Sequence, residues 1–426
     1  MATNTPLKVV VAGGGIGGLA LANGLRRAGV AVSVHEREVR RTDRLQGFRI
    51  HINPHGAAAL SELLSPALFG AFVAAAGKGG NGFGFVTEQF DRLVDFAVTD
   101  TADAADDHYG ISRITLRQLL LADLGDTVRY GSMFEHYEHR PDGRVVAYFA
   151  DGTTEVGDVL VGADGGTSRV RAQYLPHAER VDTGIVTISG KYPLTEATRA
   201  RLDPRLLRHP WSVIPPRGCG MFLAPHEFTP SAVPAADGLP PGLLFDDSQP
   251  YVFWAFAAER ARFGTDLTGL APAALHTIAN RMTGGWAPEL RRLVAESDPA
   301  TTTLIPIKTS VPVPRWTPTT VTLLGDAIHS MTPFAGIGAN TALRDAQLLC
   351  RMLVAADRRD RGLLDAIGAY EAAMTDYGFA AVRTSLDTAE RAVADGRLGR
   401  LMGKLVLRAA GAVPAMKRKM FADLGA

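Results

Sequence analysis

The chain reads as an α/β protein with a doubly wound parallel-sheet domain, an inserted domain on a mostly antiparallel sheet, and a helical C-terminal tail. Three observations predict this. A β-branched run at 8–12 passes through the glycine turn 13–18 into an amphipathic segment at 19–28 and a second strand at 30–36, which makes one βαβ unit. From about Thr183 to Lys308, strand-like runs at 184–192, 220–223 and 250–257 are separated by Pro- and Gly-rich loops such as 232–242. From Ala366 onward the pattern is mostly helical.

The other elements follow in order. In 19–28, Leu21, Leu25 and Ala28 keep helical spacing, and Gly29 ends that helix. Residues 54–76 read as one helix with Leu60, Leu63, Leu64, Leu68 and Phe72 on its apolar positions. A glycine-rich break at 77–84 leads into two strands within 82–98, and 115–124 reads as helix. Residues 128–137, 144–149 and 154–161 read as a β-meander with turns at Pro141-Asp142-Gly143 and Asp151-Gly152. A short strand at 321–324 precedes a long helix at 339–356.

Composition narrows the function classes. The 426 residues are 46% hydrophobic, 21% charged and 7% aromatic, as in a folded globular protein. A formal net charge of +1 gives no electrostatic case for a nucleic-acid partner. The two cysteines, Cys219 and Cys350, form no CxxC pair and lie near no metal-type His spacing, so a reducing cytoplasm and no metal centre are expected. No apolar run of about 18 residues predicts a membrane span.

The chemistry-bearing motif nearest the start is Gly13-x-Gly15-x-x-Gly18, with Ile16 and Gly17 between. The first glycine permits the tight turn, the second lets a pyrophosphate approach the backbone, and the third lets the helix pack on the strand. The helix N-terminus offers free N–H groups to phosphate. Glu36 ends the next strand, 18 positions after Gly18, where a carboxylate can accept both ribose hydroxyls. This much predicts a dinucleotide site that NAD or FAD could fill. Two further motifs follow: Gly162-Ala163-Asp164-Gly165-Gly166, and Gly325-Asp326-Ala327-Ile328-His329 continuing to Pro333-Phe334-Ala335-Gly336-Ile337-Gly338-Ala339-Asn340.

With these three motifs in order, the sequence resembles the single-component FAD-dependent aromatic hydroxylases (class A flavin monooxygenases) of the para-hydroxybenzoate hydroxylase type, nearest their tetracycline-degrading branch. The resemblance covers most of the chain. It implies a Rossmann-like FAD-binding domain formed by 1–77, 107–180 and 309–365. Residues 78–106 would supply substrate-domain strands, 181–308 the substrate domain, and 366–426 a C-terminal helical segment. It implies FAD contacts for Arg113, Asp164, Gly165 and Gly325. Asp326 would bond the ribityl chain, and Pro333 with Gly336, Ile337, Gly338, Ala339 and Asn340 would lie along the isoalloxazine ring. Arg37 follows the ribose glutamate as in the tetracycline-degrading branch. The segment Gln46-Gly47-Phe48-Arg49-Ile50-His51 aligns less closely, with Arg49 or His51 as its flavin-facing candidates. The implied cycle uses NADPH or NADH and O2. A flavin C4a-hydroperoxide passes one oxygen atom to a hydrophobic or aromatic substrate, as in secondary metabolism or antibiotic modification.

The residues agree with that chemistry. A long helix entered through Gly336 and Gly338, near Asn340, would aim free N–H groups at a reduced flavin's negative charge. No side chain is singled out as catalytic, and Pro333, Gly336 and Gly338 are the flavin-proximal positions. His329 is either an acid–base group or a packed one, the latter being commoner. Aromatic residues Phe222, Phe228, Phe245, Tyr251, Phe253, Trp254 and Phe256 line a substrate cavity or pack a sheet. No Gly-x-Ser-x-Gly elbow supports a hydrolase. Trp211-Ser212-Val213-Ile214-Pro215 resembles a flavin-halogenase motif but lacks its first tryptophan. Residues 404–419 form a basic stretch that either lies on a membrane surface or packs on the FAD domain, the second being the expectation. A monomer or homodimer is expected. The alternatives are a flavin epoxidase, oxidase or reductase on the same fold, or an FAD-binding protein without enzymatic activity.

Overall fold

A computed structural model describes residues 6–40, 49–76, 82–97, 103–227 and 250–413. Five parallel strands lie in the order Val321–Leu323, Val159–Gly162, Lys8–Ala12, Ala31–Glu36, Val128–Tyr130. The central ones are buried on both faces: Val9, Val10, Val11, Leu160 and Val161 expose nothing, as continuous β-branched runs predict. Helix Ile16–Arg27 follows the first strand and packs against Gly338–Asp357. Gly29 takes a positive φ of 83° just beyond its end.

A seven-stranded sheet forms the second body. Its order is Thr303–Ser310, Arg180–Pro193, Tyr251–Glu259, Cys219–His226, Trp211–Ile214, Gly82–Thr87, Arg92–Ala97. All its pairs are antiparallel except Trp211–Ile214 with Gly82–Thr87. Helices Pro272–Met282 and Pro288–Ala295 close one face over Ile188, Tyr192, Trp211, Leu223, Trp254 and Phe256. The chain is thus mixed α/β with a parallel sheet, antiparallel sheets and a helical C-terminal part.

Four local expectations are corrected. Residues 54–76 form two helices, Pro54–Leu63 and Pro66–Ala75. Pro66 has no N–H to continue the first, and Ser65 Oγ caps the second by accepting from Leu68 N–H at 3.3 Å. The meander is shorter than predicted: Phe134–His139, Val145–Phe149 and Thr154–Gly157 pair antiparallel, whereas Val128–Tyr130 and Val159–Gly162 belong to the parallel sheet. The long helix starts at Gly338, two residues before Asn340. The last helix, Arg397–Ala412, packs on the edge strand Arg92–Ala97 of the seven-stranded sheet rather than on the parallel-sheet domain. Phe228, Phe245, the loop 232–242, Gln46-Gly47-Phe48 and the side chain of Arg49 lie outside the described residues.

One buried acid makes the core sensitive to pH. Glu371 accepts from Thr322 Oγ1 at 2.9 Å and Tyr174 OH at 3.3 Å beneath the parallel sheet, and burial pushes its carboxyl up to about 7 from the usual 4.5. A raised folded-state value favours the fold when protonated, so its contribution is complete below about 4.5 and lost as pH rises through about 7. Glu371→Gln should therefore be more stable than the parent at pH 8, by up to about 3 kcal/mol, with the gap closing near pH 5. Urea unfolding at both pH values checks this, and an equal gap at both would refute it.

Candidate functional site

The three motifs meet on one edge. Strands Val321–Leu323, Val159–Gly162 and Lys8–Ala12 are neighbours and parallel, so Gly325-Asp326, Asp164-Gly165 and Gly13–Gly18 leave from their adjacent carboxyl ends. Gly13 has φ of 114°, and a Cβ there would sit 2.3 Å from the Ala163 carbonyl oxygen. Gly18 is as tight, its Cβ position lying 2.3 Å from the Gly13 carbonyl oxygen. Gly15 is different: the nearest atom to its Cβ position is 3.9 Å away, so the backbone is open there. Helix Ile16–Arg27 begins with no side-chain cap, leaving the amides of Ile16, Gly17 and Gly18 available to a ligand.

Glu36 lies beside this turn. Its buried carboxylate accepts from Gly14 N–H at 2.9 Å and Glu38 N–H at 3.1 Å. Arg117 crosses the same place, with Nε donating to Gly14 O at 3.0 Å and Nη2 lying 3.4 Å from Glu36 and 3.1 Å from Glu38. Sequence reasoning missed Arg117; its signal is Arg113, one helical turn earlier on the same face. Arg113 is the exposed first residue of helix Arg113–Ala122. Strand Arg49–Ile52 pairs with Tyr109–Ser112, which places Arg49 opposite Ser112, next to Arg113. Arg37 is exposed.

Asp164 accepts from Arg169 N–H at 2.8 Å and Val170 N–H at 3.3 Å, and burial raises its carboxyl above the usual range. Gly165 follows at φ of 80°. Arg171 sews two motifs together, donating to Gly166 O at 3.2 Å and Ala327 O at 2.8 Å.

Gly325 holds φ 59° and ψ −140°, a region few residues other than glycine occupy. Its N–H donates to Asp345 Oδ2 at 2.7 Å. Asp345, which sequence reasoning also missed, is fully buried and further bonds His329 Nε2 at 2.6 Å and accepts from Tyr377 OH at 2.6 Å. Burial pulls His329 down, but the Asp345 carboxylate outweighs it and the net shift is upward. His329 is thus the packed alternative, a clamp behind the turn. Asp326, one residue on, is exposed at the carboxyl edge.

Thr332 Oγ1 donates to Ser385 O at 2.7 Å just before the short turn Pro333–Ala335. Gly336 ends that turn at φ of 68°, and Gly338 starts the long helix without a side-chain cap after Ile337. Ala339 continues the helix. The Asn340 side chain is committed, donating to His51 O at 2.9 Å and accepting from Asn53 N–H at 3.0 Å. His51 in turn meets His108 at 3.1 Å.

The aromatic residues separate by face. Tyr251, Trp254 and Phe256 are buried, the last two under the helices. Phe222 and Phe253 lie on the other face, with Phe83, Phe85 and Phe96, at ring centroids 5.1–6.4 Å apart. None of these three was singled out, although Phe83-Gly84-Phe85 signals the first two: Gly84 packs on Trp211, so both phenyls point away. Phe334 packs against a cluster holding Ile185, Ala257 and Ile307. Ala257 shares the face of Phe253, so the Pro333–Ala335 turn abuts the aromatic side of the sheet.

Comparison with known proteins fits this arrangement. Residues 294–385 match the family model described as an FAD binding domain. The 3-amino-4-hydroxybenzoate 2-monooxygenase of Streptomyces platensis is 30% identical over 83% of this chain and 81% of its own length. A solved structure from Photorhabdus luminescens subsp. laumondii, designated an FAD-containing monooxygenase, is 34% identical, with a TM-score of 0.81 over 91% of this chain and 98% of that one. The chain belongs to the FAD-dependent monooxygenases. A dual O-methyltransferase/FAD-dependent monooxygenase of Phaeosphaeria nodorum is 30% identical over 80% of this chain. The chain spans 39% of that relative's length, so in that protein the monooxygenase likeness occupies only a part.

Within this monooxygenase fold Asp345 ties strand end, helix and turn together. Asp345→Ala would leave Gly325 N–H, His329 and the Tyr377 hydroxyl without their acceptor. We expect a loss of about 3–5 kcal/mol in unfolding free energy, read by chemical denaturation, and a loss below about 1 kcal/mol would contradict the clamp.

Proposed function

We propose that the chain is an FAD-dependent, NAD(P)H-consuming monooxygenase that places one oxygen atom from O2 into a hydrophobic or aromatic small molecule, as in secondary metabolism or antibiotic modification. The observation that carries this is the convergence of Gly13–Gly18, Asp164-Gly165 and Gly325-Asp326 on one sheet edge, with the Pro333–Ala335 turn against the aromatic face of the second sheet. Bound FAD supplies the redox and oxygen-activating chemistry.

The chain's own groups divide the holding of that cofactor. Glu36 takes the adenosine ribose hydroxyls, and Arg117 holds its carboxylate in place. The amides at Gly15–Gly18 take the pyrophosphate, with Arg113 and Arg37 as further cofactor contacts. Asp164, Gly165, Gly325 and Asp326 hold the middle of the molecule. The backbone of Pro333 and Gly336 to Asn340 lies along the ring, where the uncapped amides of helix Gly338–Asp357 stabilise negative charge. Residues 1–77, 107–180 and 309–365 serve the cofactor in this reading, and 78–106 with 181–308 serve the substrate. Phe222 and Phe253 offer an apolar wall that excludes water and stacks a flat substrate. The aromatic acid named for the Streptomyces relative supports that class.

The purified protein should be yellow, and Glu36→Ala should weaken FAD binding at least about tenfold by flavin fluorescence. With a responsive compound from an aromatic and polycyclic panel, NAD(P)H oxidation should match product one to one, and the product should carry label from 18O2. Label absent from the product, with peroxide formed instead, would make the enzyme an oxidase. Phe253→Ala should raise KM roughly tenfold with a smaller change in kcat.

A further inference from the structure

Helix Arg397–Ala412 leaves an apolar side uncovered. At 3.6 residues per turn, Leu398, Leu401, Met402, Leu405 and Val406 fall on one arc. All five are exposed, from 42% for Val406 to 73% for Leu398. The inner side of the same helix is fully engaged. The buried Arg400 guanidinium donates to the carbonyls of Pro215, Cys219, Ala392 and Ala394. Lys404 reaches Glu88 at 3.3 Å, and Gly411 lies against the Leu93 backbone. The exposed arc is therefore not a core face turned the wrong way; the helix is docked by its other side.

Charge says what meets the arc. Arg397 and Arg408 are exposed and border it on one flank. Between Asp395 and Asp423 the chain has no acidic residue, while Arg397, Arg400, Lys404, Arg408, Lys417, Arg418 and Lys419 are cationic. We propose that this helix seats the protein on an anionic phospholipid surface, with the apolar arc at the acyl boundary and the arginines on the headgroups. A second copy fits less well: a two-fold contact through the arc would bring Arg397 and Arg408 toward their own kind, with no acid on the helix to meet them.

Flotation of the full chain with vesicles tests this. It should co-float with phosphatidylcholine mixed with phosphatidylglycerol, not with phosphatidylcholine alone, and raised salt should weaken the binding. Leu401→Glu with Leu405→Glu should abolish flotation while flavin content stays at the parent level. Arg397→Gln with Arg408→Gln, which leaves the arc intact, should weaken vesicle affinity roughly thirty-fold. The proposal is overturned if the parent stays unbound to anionic vesicles at low salt, or if neither double variant changes binding. It is equally overturned if the parent sediments as a dimer that the glutamate variant splits, which assigns the arc to a second copy.

Discussion

Parallel pairing of Lys8–Ala12 with strands on both sides is the constraint on which the site depends. Parallel strands all end at one edge, and each needs a crossover to return. Segments far apart in the chain, at Gly13, Glu36, Asp164 and Asp326, are therefore delivered to the same edge without any further device. The tolerance is that of backbone atoms. Gly13 sits against the Ala163 carbonyl and Gly18 against the Gly13 carbonyl, while Leu324 N–H bonds Gly162 O at 3.0 Å. Any side chain at the two glycines would push the neighbouring strand or helix away. Only Gly15 has room before it, which is where a ligand's charge can come closest to the amides.

The same edge explains why a carboxylate is buried at Asp345. Gly325 lies just beyond the strand Val321–Leu323, and its N–H is accepted by a side chain rather than by a neighbouring strand. Asp345 on the long helix accepts it, and that fully buried acid then needs further partners. His329 and Tyr377 provide them. Asp326, adjacent in sequence, is left exposed at the edge. The two acids have opposite roles set by position alone, one holding the turn and the other presented by it.

What the sequence made legible was local. The βαβ unit and the Asp-Gly and Gly-Asp motifs each lie within a few tens of residues, and the antiparallel texture of 181–308 is a succession of short runs, each with its own turn chemistry. Val128–Tyr130 and Val159–Gly162 are short apolar runs whose periodicity does not distinguish parallel from antiparallel partners, so they merged into the meander. The break at Ser65-Pro66 was readable as a cap followed by a first-turn proline, but the leucine spacing ran across it. Arg117 and Asp345 were hidden for another reason. Their meaning lies in partners across the fold, at Gly14, Glu36 and Tyr377, and an arginine or aspartate in a helix reads as a solvated one. The phenyl rings of Phe83, Phe85, Phe222 and Phe253 show the limit of alternation. It says that two faces exist, but not which face the helices cover.

The helix Leu363–Val393 resolves that last ambiguity, and it also relates the two sheets. At 31 residues it spans about 46 Å. Contacts along it succeed one another in order. Tyr370 OH donates to Leu323 O in the parallel sheet, Tyr377 reaches Asp345, and Gly378 lies so close to the His329 ring that a Cβ would sit 2.6 Å from it. Ser385 then holds Thr332, and Ala389 and Val393 join Ile185, Ala257 and Ile307 of the seven-stranded sheet. One rigid rod thus touches the floor of the first body, the back of the Gly325 turn, the root of the Pro333 turn and the second sheet. A helix cannot shorten between those points, so the distance from the carboxyl edge to the aromatic face is set by residue count rather than by loop packing. The face of the second sheet that meets this rod cannot be the one covered by Pro272–Met282 and Pro288–Ala295. That is why Phe222 and Phe253, on the same face as the residues that meet the Pro333–Ala335 turn, are left partly open, and Trp254 and Phe256 are not.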